Sequence, residues 1–249
     1  MPIILWVVFM TLTLLSPGIA TPARAQDAEA CAPTDKACLI AALNAIAPSI
    51  EGDSERDQTW REAAKLMAAA GMIDEAVAII PRIKTPDTQA MTIRGIGMAA
   101  ASLKLPKERQ DQLFKDLRVH ADKITHAPSH AIALTYIGMA QAFAGDDAGA
   151  MATSASMSNA SLRNKAYAET AEIQAERNDV QAVIRSIDAI EDSGYKDKEL
   201  FIITKIFADR QQWAHAQTIA RLVKNPYQKS QAYLYILTKQ THPESVATP

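Results

Sequence analysis

The sequence predicts an all-α fold built from a repeated helical hairpin of period 33. Three observations predict it. Alanine is the commonest residue, glycines number only 9 and aromatics make up 6%, a mixture that suits closely packed helices better than sheets. Small and apolar residues recur in columns through about six copies. Glycine, asparagine and proline fall between the columns, where helices end and begin.

The columns define the first helix of each copy, helix A. Ala68, Ala101, Ala142, Ala175 and Ala208 are equivalent, at spacings of 33, 41, 33 and 33. Four residues earlier stands a small column: Ala64, Gly97, Gly138, Ala171 and Thr204. Just before it come Ala63, Ile96, Ile137, Thr170, Ile203 and Ile236. A large column precedes these: Trp60, Ile93, Leu134, Tyr167, Leu200 and Tyr233. Separations of three and four mark one helical face. The alanines and glycines on that face let a second helix approach closely.

A turn closes helix A at Gly71, at Gly145, at Asn178-Asp179 and at Gln211-Gln212. Glycine and asparagine end helices in the left-handed conformation. Helix B follows with its own apolar stripe: Ala76, Ile79, Ile80 and Ile83 in copy one, Val183, Ile187 and Ile190 in copy four, and Ala216, Ile219, Ala220 and Val223 in copy five. Thr85-Pro86, Ala127-Pro128 and Asn225-Pro226 punctuate the copies. Proline suits the first turn of the next helix A, and Thr85 and Asn225 are placed to cap it. The single spacing of 41 holds eight extra residues around Leu103–Arg109. Pro106 can open a lengthened second helix there, running through Leu113, Leu117, Ala121 and Ile124.

The N-terminal region reads differently. An apolar run through Leu15 is followed by Ser16-Pro17-Gly18 and then by Ala23-Arg24-Ala25. This predicts a signal peptide over residues 1–25, cut between Ala25 and Gln26, although no Lys or Arg precedes the apolar run. The run is too short to span a bilayer, which needs about 20 apolar residues. Cys31 and Cys38 are the two cysteines of the chain. In an oxidising compartment such a pair is most simply a disulfide. Pro33 lets Cys31 fold back, and Thr34 or Asp35 would cap a helix containing Cys38. Residues 26–52 are therefore an N-terminal capping segment, 53–240 the repeat array and 241–249 a flexible tail.

The helix-A and turn residues resemble the tetratricopeptide repeat and its helical-hairpin relatives. Trp60, Ala64, Gly71 and Ala76 sit where that family places its Trp, small residue, turn Gly and helix-B Ala, and Gly138 and Ala150 match in copy three. The period of 33 is one short of that family's 34, its helix-A tyrosine column is absent, and aliphatics replace its helix-B aromatics. The resemblance covers about residues 53–240. It implies a right-handed α-solenoid of about five and a half tetratricopeptide-like hairpins, with a concave face lined by helix-A residues.

By that register the partner-binding residues are Arg61, Lys65, Arg94, Met98, Tyr136, Met139, Phe143, Glu169, Glu172 and Lys205. They run from basic through apolar to acidic, a gradient suited to orienting an extended peptide or a partner helix. The net charge of −2 argues against nucleic acid as that partner. No phosphate loop, nucleophile elbow or zinc-ligand spacing appears, so neither a catalytic residue nor a cofactor is expected. His120, Asp122, His126 and His130 lie across a helix end, an ordinary place for histidine. Glu169, Glu172 and Glu176 share a helix face that reads as solvated, with no apolar pocket to raise a pKa. The methionines read as core filling.

The expected function is a non-enzymatic scaffold or adaptor, periplasmic or secreted, that binds a protein or peptide. It is not stably inserted in a membrane once the signal is cut. Two alternatives accompany it. One is a helical enzyme acting on cell-wall glycan. The other is a self-assembling envelope protein, since copy six ends without a helix B and leaves Tyr233, Tyr235, Ile236 and Leu237 to be covered, as by a homodimer through the C-terminal end.

Overall fold

The computed structural model describes Cys31, Ala32 and residues 34–242. The expected signal segment with its cut, and residues 243–249 of the expected tail, lie outside them. The described residues hold twelve α-helices and no strand. The chain divides into two units, Met1–Ala45 and Ile46–Pro249.

In the first unit Cys31 and Cys38 are bonded, with sulfurs 2.08 Å apart and Cα atoms at 5.6 Å. Cys38 lies in α1 (Lys36–Ile46). Asp35 caps that helix, its Oδ1 accepting the Cys38 amide at 2.9 Å.

The second unit begins with α2 (Asp53–Ala69) and α3 (Ile73–Ile79), which form hairpin one. Hairpin two is α4 (Pro86–Ala101) with α5 (Lys107–Ala121), and hairpin three is α6 (Ala127–Ala144) with α7 (Asp147–Ala155). Hairpin four is α8 (Ala160–Glu176) with α9 (Val180–Asp188), and hairpin five is α10 (Ser193–Asp209) with α11 (Trp213–Leu222). The last described helix is α12 (Pro226–Thr241). The eight extra residues lengthen α5 to 15 residues, against 9 in α7 and α9. Pro106 stands at its N-cap.

Among the described residues the hairpins pack chiefly against their neighbours. The A helices touch in series, α2 to α4 to α6 to α8 to α10 to α12, and each B helix lies against its own A helix and the next one. This is the contact pattern of a one-dimensional repeat array. The small column makes the series possible. Ala64, Ala171 and Thr204 are fully buried, and a Cβ added at Gly97 would meet the Ala140 Cβ at 2.9 Å. The helix-B stripes predicted for hairpins one, four and five are buried as well.

Backbone conformation carries the same period. Gly71, Lys104, Gly145, Asn178 and Gln211 all have positive φ, from 50° at Lys104 to 91° at Gly145. Each reverses the chain after its helix A. Only glycine adopts this region without strain, so three hairpins turn at a cost of about 1 kcal/mol each. Side-chain oxygens of Asp146, Asn159, Asp179, Asp192 and Asn225 cap α7, α8, α9, α10 and α12.

Buried polar side chains tie hairpins one, three, four and five shut. Asp57 accepts the amides of Lys84 and Thr85, Asn164 accepts the Glu191 amide, and Asp197 accepts those of Lys224 and Asn225. Gln141 Oε1 accepts the Thr153 hydroxyl and Gln174 Oε1 the Ser186 hydroxyl, both at 2.7 Å.

Two expectations need correction. Thr85 does not cap α4, because its hydroxyl donates to Asp57 instead. In copy six the apolar face is also redistributed. Ile236 is buried, and Tyr235 packs against the core and donates its hydroxyl to Asp209 at 2.7 Å. Tyr233, Leu234 and Leu237 are the exposed residues. Ala232 and Ile236 are buried like their counterparts in hairpins two to five, and among the described residues no further hairpin lies over Tyr233.

Candidate partner-binding face

The A helices set one register position side by side: Lys65, Met98, Met139, Glu172 and Lys205. All five are exposed or half-buried, so the column is basic, then apolar, then acidic, then basic again.

Arg61, Lys65, Arg94 and Met98 share one groove of about 520 Å³ with Glu62, Met91, Gly95 and Ala99. Gly95 keeps its floor open, because a Cβ there would lie 3.3 Å from the Lys65 Cβ. From the same groove the Arg94 guanidinium reaches over the Tyr136 ring, 4.7 Å from its centroid. That stack couples α4 to α6 and holds the guanidinium flat on an aromatic face. Tyr136 in turn lines a small groove with Ile132, Leu162, Lys165 and Glu169. Met139 is half-buried against Ala142, Ala150 and Ile173.

Phe143 stands apart. It is 40% exposed in a different groove of about 510 Å³, with Ala101, Lys104, Leu105 and Gln110. Lys205 lies over the rings of Phe201 and Tyr235, at 5.8 and 5.4 Å. Asp209 accepts from both Tyr235 and Lys239, so this end of the face is a cation–aromatic cluster.

The acidic stretch is a solvated helix face only in part, since Glu176 is exposed but Glu169 and Glu172 are half-buried. The Glu172 carboxyl meets the carboxyl of Glu199 on α10 in a side-chain hydrogen bond. Glu199 is only 3% exposed. Burial, and then the charge of Glu172, pushes its carboxyl up to about 8. Burial also raises Glu172, with the charges of Glu169 and Glu176 adding to it. Tyr195 is raised by burial and by Glu199, Glu169 and Glu172. The expectation that no environment here would raise a carboxyl is thus corrected, since α10 supplies the burial.

Glu199 was missed by sequence reading, yet the register marks it. Its column otherwise reads Thr59, Thr92, Ala133, Ala166 and Ala232. A glutamate in a column of small residues, buried in every copy after the first, is a departure from the repeat.

The histidines behave as ordinary surface groups. His130 pairs with Asp122 at 3.1 Å, and His126 Nδ1 lies 2.6 Å from the Ser129 hydroxyl. Burial, then Lys123, lowers the pKa of His120. Among the described residues no three His, Cys, Asp or Glu side chains converge as metal ligands. No helix among them is long and apolar enough to cross a membrane.

No protein-family model, curated protein or solved structure matches this chain.

Proposed function

We propose that this protein is a non-enzymatic scaffold or adaptor, exported to the periplasm or beyond, that binds a protein or peptide along the exposed side of its A helices. In this reading the array is a right-handed, tetratricopeptide-like α-solenoid and the A-helix side is its concave face. The observation that carries it is the aligned column from Lys65 to Lys205, with the open Arg61–Lys65–Arg94–Met98 groove at one end. Side chains that serve only the core have no reason to keep graded chemistry along a half-exposed row. The Cys31–Cys38 bond supports an oxidising compartment.

The test is crosslinking capture from the native envelope. The native protein is compared with a variant in which Arg61, Arg94, Tyr136 and Glu169 are changed together, at matched helical content. A partner held by the native protein and lost by the variant is the expected result. Equal capture by both removes the site from this face.

A second reading has its own observation. Tyr227, Tyr233, Leu234 and Leu237 lie exposed on α12, from 37% for Tyr233 to 72% for Tyr227. The residues equivalent to Tyr233 in the earlier copies are all buried by the next hairpin. End repeats of such arrays normally present a polar outer face. A second copy meeting the first through α12 would cover these side chains. Light scattering across concentrations checks it, and a monomer throughout rules it out.

A further inference from the structure

We propose that Glu172 and Glu199, with Glu169 beside them, form a recognition site for one organic cation, the guanidinium or ammonium of a basic side chain in the bound segment. This deepens the reading of the A-helix side as a peptide-binding face and rests on it.

Three observations meet at this site. Glu199 is a charge-bearing residue in a column whose other members are Thr or Ala, so the fold does not need it there. Its Oε1 is sealed from solvent, and no N–H or hydroxyl of the protein donates to it. A buried acceptor left without a donor costs about 1–3 kcal/mol, and such an orphan calls for an explanation. Glu172 and Glu169 are only half-buried, and Glu172 stands on the row that runs from Lys65 to Lys205, so solvent reaches the carboxyls beside the buried one.

The surroundings fix the sign of the ligand. Glu169, Glu172 and Glu176 face the site from α8, and Tyr195 faces it from α10. Lys198 of α10 is exposed and offsets Glu199 only weakly. Lys165 lies 4.0 Å from Glu169 with more than half of its side chain in solvent. The other nearby cations are engaged elsewhere: Lys196 near Asp188, Lys205 over Phe201 and Tyr235, and Lys239 on Asp209. The ligand-free site therefore balances its charge by holding a proton between Glu199 and Glu172. An arriving cation takes that role, and the proton leaves to solvent. A guanidinium suits the site best, because its several N–H groups can serve two carboxyls at once. The same exchange makes binding tighter as pH rises towards 8, by at most about tenfold per pH unit.

The test follows the Glu172 and Glu199 side-chain carboxyl carbons by NMR across a pH titration of the whole protein. Methylguanidinium chloride is compared with tetramethylammonium chloride at equal ionic strength. The second cation screens charge but donates no hydrogen bond. The expected result is an upper midpoint that falls in methylguanidinium alone, by roughly tenfold in acidity constant at saturation. Glu199→Gln and Glu172→Gln, checked for unchanged helical content, abolish the methylguanidinium-induced shift of the remaining carboxyl. Equal midpoints in the two salts overturn the proposal. So does an undiminished response in Glu199→Gln. No partner is needed for this readout. Loss of the cation response beside intact partner capture therefore sinks this site alone. A normal cation response beside capture that ignores the groove variants sinks the peptide-face reading.

Discussion

Asp57 Oδ2 accepts both the amide and the hydroxyl of Thr85, at 2.8 and 2.7 Å, across 28 residues of chain. Asp197 and Asn225 repeat the backbone part of this arrangement at the same separation. In each case a carboxylate early on helix A clamps the loop that ends the hairpin. A buried acid of this kind is held by the amides it accepts, and its loss strands those amides.

Replacing Asp197 or Asp57 by Ala is therefore expected to destabilise by about 2–3 kcal/mol, since each leaves two loop amides without an acceptor. Asn164→Ala, which frees one amide, is expected to cost about 1 kcal/mol. Urea unfolding of the three variants measures this order. Equal losses at all three would disprove the clamp.

The positive-φ residues predict changes of opposite sign. Lys104→Gly and Gln211→Gly relieve left-handed strain at exposed turns and are expected to stabilise by about 1 kcal/mol each. Gly145→Ala imposes that strain and is expected to destabilise by a similar amount. Thermal melts of the three single variants are the check.

Two glycines of the same column are predicted to part company. Gly97→Ala drives a Cβ to 2.9 Å from Ala140 and is expected to destabilise by about 1–3 kcal/mol. At Gly138 an added Cβ meets nothing closer than 3.6 Å. Helix propensity then favours Gly138→Ala by about 0.5–1 kcal/mol. Denaturant midpoints of both variants, side by side, decide whether the α4–α6 contact is the tighter one.

Glu199 makes stability depend on pH in an unusual direction. Its folded-state pKa of about 8 lies above the ordinary 4.5. Below 4.5 folded and unfolded chains are both protonated, and the buried carboxyl carries no charge penalty. Between 4.5 and about 8 only the folded chain keeps the proton, so stability falls as pH rises, and the loss is complete above 8. Glu199→Gln should flatten this limb and raise stability above pH 8 by roughly 3 kcal/mol. Chemical unfolding at a series of pH values tests it, and a wild-type profile that is flat from 5 to 8 would contradict the buried acid.

The legible parts of this protein are those governed by neighbours in sequence. Columns three and four apart placed every helix A, and the Pro86, Pro128 and Pro226 positions placed three helix starts. The Cys31–Cys38 pair followed from two cysteines placed just after an expected export signal. What escaped depends on distant partners. Thr85 reads as a cap because a local hydroxyl usually serves the helix it precedes, but Asp57 offers it a buried carboxylate. Lys104 carries no signal for positive φ, and only its place 33 residues after Gly71 exposes it. Arg61, Lys65, Arg94 and Met98 line one groove because they sit on two adjacent A helices, a neighbourhood that the register already implies. Glu199 was invisible as a partner for Glu172, because its burial is created by α8 packing on α10.

Hairpins two and three carry Ala90 and Ala131 where Asp57, Asn164 and Asp197 clamp the others. Among the described residues, no side chain accepts the amides of Thr125, His126, Ser158 or Asn159, the counterparts of the clamped positions. Those amides are expected to exchange with solvent deuterium earlier than Thr85, Glu191 and Asn225, through local opening that leaves the helices intact. The loops that close the hairpins are fastened towards both ends of the array and slack in its middle. Under a pulling force or a bending partner the array would yield first beside α5 and α7.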